Sequence, residues 1–266
     1  MSLSPFLRAS VALHAAAIPA LAVAPHRWPW IAGALVANHY VTIAGGLLPR
    51  SALLGPNLRR SAAAREDGAV VLTFDDGPDP SVTPGVLDML DSRGVKATFF
   101  CIGEHAARHR ALTAEIAQRG HRLENHSQTH SNAFFFHVPA TLDREIGSCQ
   151  EELHRASGRA PSFFRAPAGI RSPLLESALA RAGLRLASWT RRGFDTASRN
   201  PAAVASRLTR DLSAGDVVLL HDGMSRSRSQ RQPIVLQALP RVLDAIEAAG
   251  LRVTPLLDDL VEPTRV

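Results

Sequence analysis

The stretch VVLTFDDGPDPSVTPGVLDMLDSRGVKATFFC, residues 70–101, decides the fold. It opens with a β-branched run, VVLTF (70–74), passes through a turn punctuated by Gly and Pro, and continues as an amphipathic segment over 83–93 that stops at Gly94. An apolar run, VKATFFC (95–101), follows directly. Strand, helix and strand in this order predict two parallel strands joined by a right-handed crossover. The unit recurs downstream. Further runs lie at HRLEN (121–125), PSFFR (161–165), LRLASWT (184–190), DVVLLH (216–221) and LRVTPL (251–256). Helical segments near 105–119, 139–156, 172–182, 201–213 and 233–249 separate them, with C-cap glycines such as Gly120, Gly183 and Gly250. Seven strands alternating with helices require a parallel sheet, either open and doubly wound or closed as a (β/α) barrel. In both, chemistry gathers at the carboxyl ends of the strands.

The reactive side chains fall on that rim. Asp75 and Asp76 end the first run, His126 and His130 follow the third, Arg165 ends the fourth, Asp195 lies beyond the fifth and His221 ends the sixth. Unrelated Asp and His residues would divide between the two ends, so this one-sided placement points to a site. One carboxylate with two imidazoles is a facial set that binds a divalent metal and leaves positions open for water and substrate.

In order and combination, TFDDGPDP (73–80), HSQTH (126–130), RAPAG (165–169) and LLH (219–221) resemble the motifs of the polysaccharide deacetylases, the NodB-homology or carbohydrate esterase family 4 enzymes. The resemblance covers residues 68–257. It implies a distorted (β/α)7 barrel and a metal-dependent hydrolase that removes acetyl groups from N-acetylated or O-acetylated sugars. Carried over by position, Asp75 is the general base and His221 the general acid. Asp76, His126 and His130 hold the metal, zinc foremost with cobalt or nickel as alternatives. Arg165 and Asp195 orient the base and the acid, and the backbone N–H of Ala168 faces the oxyanion. Pro167 and Leu219, from the same motifs, join the residues that orient substrate. Two other functions remain open: a deformylase or amidase of a small or lipid-linked substrate on the same scaffold, and a catalytically silent glycan- or lipid-binding protein.

Two positions depart from the family's usual pattern, Ala168 for a tyrosine and Thr196 for a tryptophan. Both rings would wall a sugar groove, so a chitin-like or peptidoglycan polymer becomes a doubtful substrate. Phe134, Phe135 and Phe136 can replace that aromatic surface or pack into the core, whereas Trp189 is expected inside the barrel. Arg191 and Arg192 after the fifth run, with Arg226, Arg228 and Arg231 after the sixth, either form a solvated basic loop or receive an anionic substrate such as a phosphate-linked glycolipid.

The 266 residues carry 30 Lys+Arg against 24 Asp+Glu, a net charge of +6. No basic–aromatic interleaving or finger spacing accompanies that charge, which excludes a nucleic-acid reading. Cys101 and Cys149 lack CxxC spacing and are expected as buried thiols. The N-terminal part, residues 1–66, is an appendage to a catalytic domain at 67–266. Residues 9–49 hold a single formal charge, Arg27. Trp30–Leu48 is long enough to span a membrane, at about 28 Å, whereas Ala9–Ala24 is short for a span and resembles a signal-peptide core. A helical hairpin in the membrane is the preferred reading, its HRWPW turn carrying Trp28 and Trp30 at the interface. A cleaved signal or a helical pair packed on a soluble domain are the alternatives. Arg8, Arg50, Arg59, Arg60 and Arg65 flank the hairpin base against Arg27 alone in the turn, which favours a cell-membrane protein with a cytoplasmic catalytic domain.

Overall fold

A computed structural model describes residues 3–223 and 233–257. Two helices come first, α1 (Pro5–Val23) and α2 (Trp28–Leu47), then a short α3 (Ala62–Glu66). The alternating strands and helices follow as β1 (Ala69–Asp75), α4 (Thr83–Ser92), β2 (Thr98–Cys101), α5 (Gly103–Arg108), α6 (Arg110–Gln118), β3 (Arg122–Asn125) and α7 (Pro139–Ser157). They continue as β4 (Phe163–Phe164), α8 (Leu175–Ala182), β5 (Arg185–Leu186), β6 (Arg191–Arg192), α9 (Pro201–Thr209), β7 (Val217–His221), α10 (Ile234–Ala248) and β8 (Arg252–Thr254). The strands form one parallel sheet in the order β5-β4-β3-β2-β1-β7-β6, with β8 on the first half of β1. The sheet is curled, a distorted (β/α) barrel sheathed by helices. Gly94, Gly120, Gly183 and Gly250, with φ of 62°, 82°, 69° and 69°, end helices in the left-handed conformation expected of them.

The fifth predicted run is divided. Residues 187–190 join β5 to β6, which stand at opposite ends of the strand order, so the chain crosses the barrel seam there. Leu58, from the segment before β1, fills the seam: its N–H donates to the Leu186 carbonyl and its own carbonyl accepts from Ser188. Asp195 consequently follows β6, not the strand paired to β4. The predicted 105–119 helix is also two, because His109 leaves helical geometry at φ −122°, ψ 50°.

Sheet parity positions the site. Val70, Leu72 and Phe74 of β1 face outward into the helix layer, together with Val218 and Leu220 of β7. Ala69, Val71, Val217, Leu219 and Phe163 face the barrel interior with Trp189. Because side chains alternate along a strand, the next inward positions are Thr73 and Asp75 on β1, His221 on β7 and Arg165 after β4. Register then sets Asp75 opposite His221.

α1 and α2 form an antiparallel hairpin joined at Pro25–Arg27, with Asn38 Nδ2 donating to Ser10 Oγ at 2.8 Å and the His14 and His39 rings 5.1 Å apart. The expected division between the two runs is reversed. α1 starts at Pro5, capped by Ser4, and among the described residues it is the one helix whose length and composition suit a membrane crossing. α2 carries the polar run Asn38-His39-Tyr40 in its middle.

Candidate active site

Asp76, His126 and His130 converge from two rim loops. Asp76 Oδ1 lies 3.2 Å from His126 Nε2 and 3.3 Å from His130 Nε2, and it is buried without a hydrogen-bond donor. His126 Nδ1–H donates to the Arg165 carbonyl at 2.8 Å, which leaves the Nε2 lone pair facing the carboxylate. Burial works against charge on His126, but Asp75 and Asp76 outweigh it and raise its pKa. Burial likewise opposes ionisation of Asp76, yet the surrounding imidazoles of His126, His221 and His130 hold it well below the carboxylate range. His130 is lowered by burial and by His126. An ionised carboxylate with an orphaned oxygen, facing two imidazole nitrogens, fits a divalent cation. Backbone strain shapes this trio: Asp76 at φ 74°, Ser127 at 64° and His130 at 51° are non-glycine residues in the left-handed region. Glu145 of α7 secures the second loop by accepting from Thr129 N–H at 3.0 Å and Thr129 Oγ1 at 2.9 Å.

Asp75 is held differently. Its Oδ1 accepts from Arg165 Nη1 at 2.6 Å, and its Oδ2 stands 3.9 Å from His126 Nε2. Arg165 is wholly buried, and the barrel interior supplies its remaining partners: Thr73 Oγ1, the Ala187 and Ser188 carbonyls, and the Phe100 ring 4.0 Å from the guanidinium carbon. Burial presses its pKa down and Asp75 pushes it back up. On the neighbouring strand, His221 Nδ1–H donates to Asp195 Oδ1 at 2.8 Å, and the His221 backbone N–H donates to Asp195 Oδ2 at 2.8 Å. Burial opposes the imidazolium, but Asp195 overcomes it and raises His221 to about 9.

Ala168 sits at φ 54° in the loop after β4, exposed between buried Pro167 and Gly169. Gly169 has φ 76°, and a Cβ there would lie 2.6 Å from Pro49 Cβ and Trp189 Cη2. No side chain fits between the linker and the barrel interior.

Several expected contributors stand elsewhere. Leu219 is 1% exposed and packs with Val71, Ala187 and Trp189 beneath the site, so it orients no substrate. Arg191 points to the opposite end of the barrel, pairing with Asp216 Oδ2 at 2.9 Å at the start of β7. Arg192 lies over the Trp189 and Phe194 rings. Phe134 is core and stacks on Phe164, Phe135 abuts Gly46 of α2, and Phe136 stands exposed. Arg226, Arg228 and Arg231 lie outside the described residues. Cys101 and Cys149 are buried thiols.

Asp222 escaped the sequence reading. Buried behind Asp75, it accepts from Thr83 Oγ1 at 2.6 Å while its N–H donates to the Asp75 carbonyl, and burial raises its pKa to about 7. Gly77 lies so close that a Cβ there would meet the Asp222 carboxylate. The one signal in the sequence is an acid directly after a strand-terminal histidine.

Comparison with known proteins agrees with this geometry. The family described as polysaccharide deacetylase matches residues 62–187. A chitooligosaccharide deacetylase of Bradyrhizobium sp. (strain ANU 289) is 32% identical over 195 residues, 71% of this chain and 89% of the relative. A peptidoglycan-N-acetylglucosamine deacetylase of Bacillus cereus is 31% identical over 188 residues, 69% and 84% of the two chains. The solved family 4 carbohydrate esterase from Streptomyces lividans superposes with a TM-score of 0.64 at 31% identity, covering 74% of this chain and 94% of the esterase. The chain belongs to the polysaccharide deacetylase family, the NodB-homology fold of carbohydrate esterase family 4. Its enzyme class is that of the hydrolases acting on carbon–nitrogen bonds in sugars.

Proposed function

We propose that the chain is a membrane-anchored, metal-dependent deacetylase of N-acetylated sugars, acting on a lipid-linked envelope glycan in preference to an extended polymer. One observation carries the reaction: the barrel mouth holds a complete Asp76–His126–His130 set with a separately held carboxylate, Asp75, and a separately held imidazole, His221. Asp76, His126 and His130 would hold a divalent cation, zinc first, which would supply Lewis-acid polarisation of the acetyl carbonyl and acidify the attacking water. The protein does the rest. Asp75 receives the proton of that water, and Arg165 fixes its direction. The Ala168 N–H stabilises the oxyanion. His221, charged because Asp195 pairs with it, gives its proton to the departing amine. A silent binding protein has no use for two proton-transfer groups held apart in this way.

The substrate class follows from the missing walls. Ala168 and Thr196 leave their two positions without the rings that would stack an extended polymer, while the hairpin supports a lipid-borne substrate. The basic hairpin base favours a barrel on the cytoplasmic face of the cell membrane, a reading that alkaline phosphatase and fluorescent-protein fusions at the C-terminus test: an active phosphatase with a dark fluorescent fusion reverses it. For the reaction, purified protein should hold about one divalent ion, lose acetate release on chelation and regain it with zinc. His126→Ala should lose ion and activity together. Full acetate release by metal-free protein refutes the mechanism.

A further inference from the structure

Among the described residues, the exposed large hydrophobic side chains fall in two places. One group lies on the hairpin and its immediate exit, from Leu3 to Leu48. The other comprises Phe136, Val138, Leu174 and Phe194, at 79%, 58%, 45% and 50% exposure. These four sit in the loops that follow β3, β4 and β6, and those are rim loops: the same segments carry His126 and His130, Arg165 and Ala168, and Asp195. The helix shell and the amino end of the barrel contribute none. Scattered apolar exposure is ordinary. Its confinement to the hairpin and the active-site rim is not.

The base of the hairpin is bonded to that same rim. The Arg171 N–H, in the loop after β4, donates to the Gly46 carbonyl near the end of α2 at 2.9 Å. A Cβ on Gly46 would lie 2.5 Å from the Arg171 carbonyl and 2.7 Å from the Phe135 ring, so α2 meets both rim loops at van der Waals distance. The Arg171 guanidinium, buried, donates to the Ser51 and Gly55 carbonyls at 3.1 Å and locks the exit of α2 onto the barrel. The Ser4 hydroxyl, at the start of α1, donates to the Leu53 carbonyl at 2.9 Å. Phe136 is adjacent to Phe135, and Leu174 lies three residues beyond Arg171, so both flank the junction.

We infer that the active-site rim is a membrane-docking surface: Phe136, Val138 and Leu174 enter the lipid interface beside the hairpin base and hold the mouth of the barrel against the bilayer. The inference rests on the hairpin being membrane-embedded and extends it from an anchor to an orientation. α1 suits a crossing by itself, and α2 turns its polar Asn38 onto Ser10 of α1, so the paired 19- and 20-residue helices, about 30 Å long, match the depth of the hydrocarbon core and bring their base to the surface where the rim loops are fixed to it. Charge agrees with lipid as the occupant. Arg8 is exposed at the base of α1 and Arg50 at the exit of α2, and Arg59 Nη1 reaches back to the Arg50 carbonyl. No acidic residue precedes Glu66, so these cations meet anionic headgroups without competition. An amphiphilic substrate then keeps its chain in the bilayer while its acetylated headgroup reaches Asp76, His126 and His130, without the groove that a polymer needs.

Site-specific labelling tests this in the full chain. Cys101 and Cys149 are wholly buried, so one introduced thiol takes an environment-sensitive fluorophore. Phe136→Cys and Val138→Cys place it on the rim, and Ser92→Cys places it at the exposed end of α4, beside the amino end of β2. The proteins are reconstituted into vesicles of phosphatidylcholine and phosphatidylglycerol, some carrying nitroxide-labelled lipid. Docking predicts blue-shifted emission and nitroxide quenching at 136 and 138 and an aqueous signal at 92. If the chain floats with the vesicles while 136 and 138 report the same aqueous environment as 92, the docking inference is wrong and the anchor stands. If the chain does not float with the vesicles, the anchor itself fails and the docking with it.

Discussion

Replacing Asp195 by Asn keeps the shape of the His221 support and removes its charge. Asp195 alone holds both the His221 ring and the His221 backbone, each at 2.8 Å, and it is the foremost of the carboxylates that raise the imidazole from 6.5 to about 9 against its burial, with Asp75 and Asp76 adding to it. That difference corresponds to about 3 kcal/mol favouring the protonated ring. Without the carboxylate, His221 returns to 6.5 or below. At pH 8 its protonated share then falls from about nine-tenths to a few per cent or less, and acetate release falls at least about 30-fold, whereas the loss from protonation at pH 6 is at least about tenfold smaller than that. The alkaline limb of the rate profile therefore moves from near pH 9 to 6.5 or below. Linkage adds a second readout. A group whose pKa is raised on folding stabilises the fold fully below its unfolded value and loses that contribution as pH rises through the folded one. The thermal stability difference between wild type and Asp195→Asn should thus be largest near pH 6 and vanish above about pH 9. The assays are acetate release from an N-acetylated oligosaccharide across pH, a nitrogen-15 NMR titration of the His221 ring and thermal unfolding at several pH values. An unmoved alkaline limb, or equal losses at pH 6 and pH 8, would refute the assignment of His221 as the proton donor charged by Asp195.

Asp75→Asn should retain its metal, seen by elemental analysis, yet turn over about 10²–10⁴-fold more slowly, and a normal rate would remove Asp75 from the proton transfer. Arg165→Met leaves the 3%-exposed Asp75 carboxylate without its cation, which should cost about 3–5 kcal/mol in chemical unfolding together with activity; unchanged stability would mean that water replaces the guanidinium inside the barrel. Gly169→Ala forces a Cβ onto Pro49 and Trp189 at positive φ, so its melting temperature and turnover should fall together, and a wild-type melt would show that the linker yields there.

Much of the site was legible before the fold was known, because strand period and strand-end position are local properties of a sequence. VVLTF followed by Asp75, and VVLL followed by His221, set the inward parity of both residues once Val71 and Val217 are taken as interior, and HSQTH places two imidazoles in one loop. The glycine stops at Gly94, Gly120, Gly183 and Gly250 are local in the same sense. What the sequence by itself determined was therefore the alternating parallel class, the rim on which chemistry gathers and the residue types gathered there. Tertiary structure decided the rest. Where LRLASWT breaks into β5 and β6 depends on the curl of the whole sheet and on Leu58, which reaches the seam from a distant segment. That Arg191 serves Asp216 at the far end, that Leu219 lies under the site without touching it, and that Asp222 buttresses Asp75 all depend on neighbours brought together by the fold. Nor does hydropathy show that the hairpin base closes on Arg171 and Phe135. Periodicity states which face of an element is buried, but the partner of that face depends on pairings between distant segments, which no local pattern encodes.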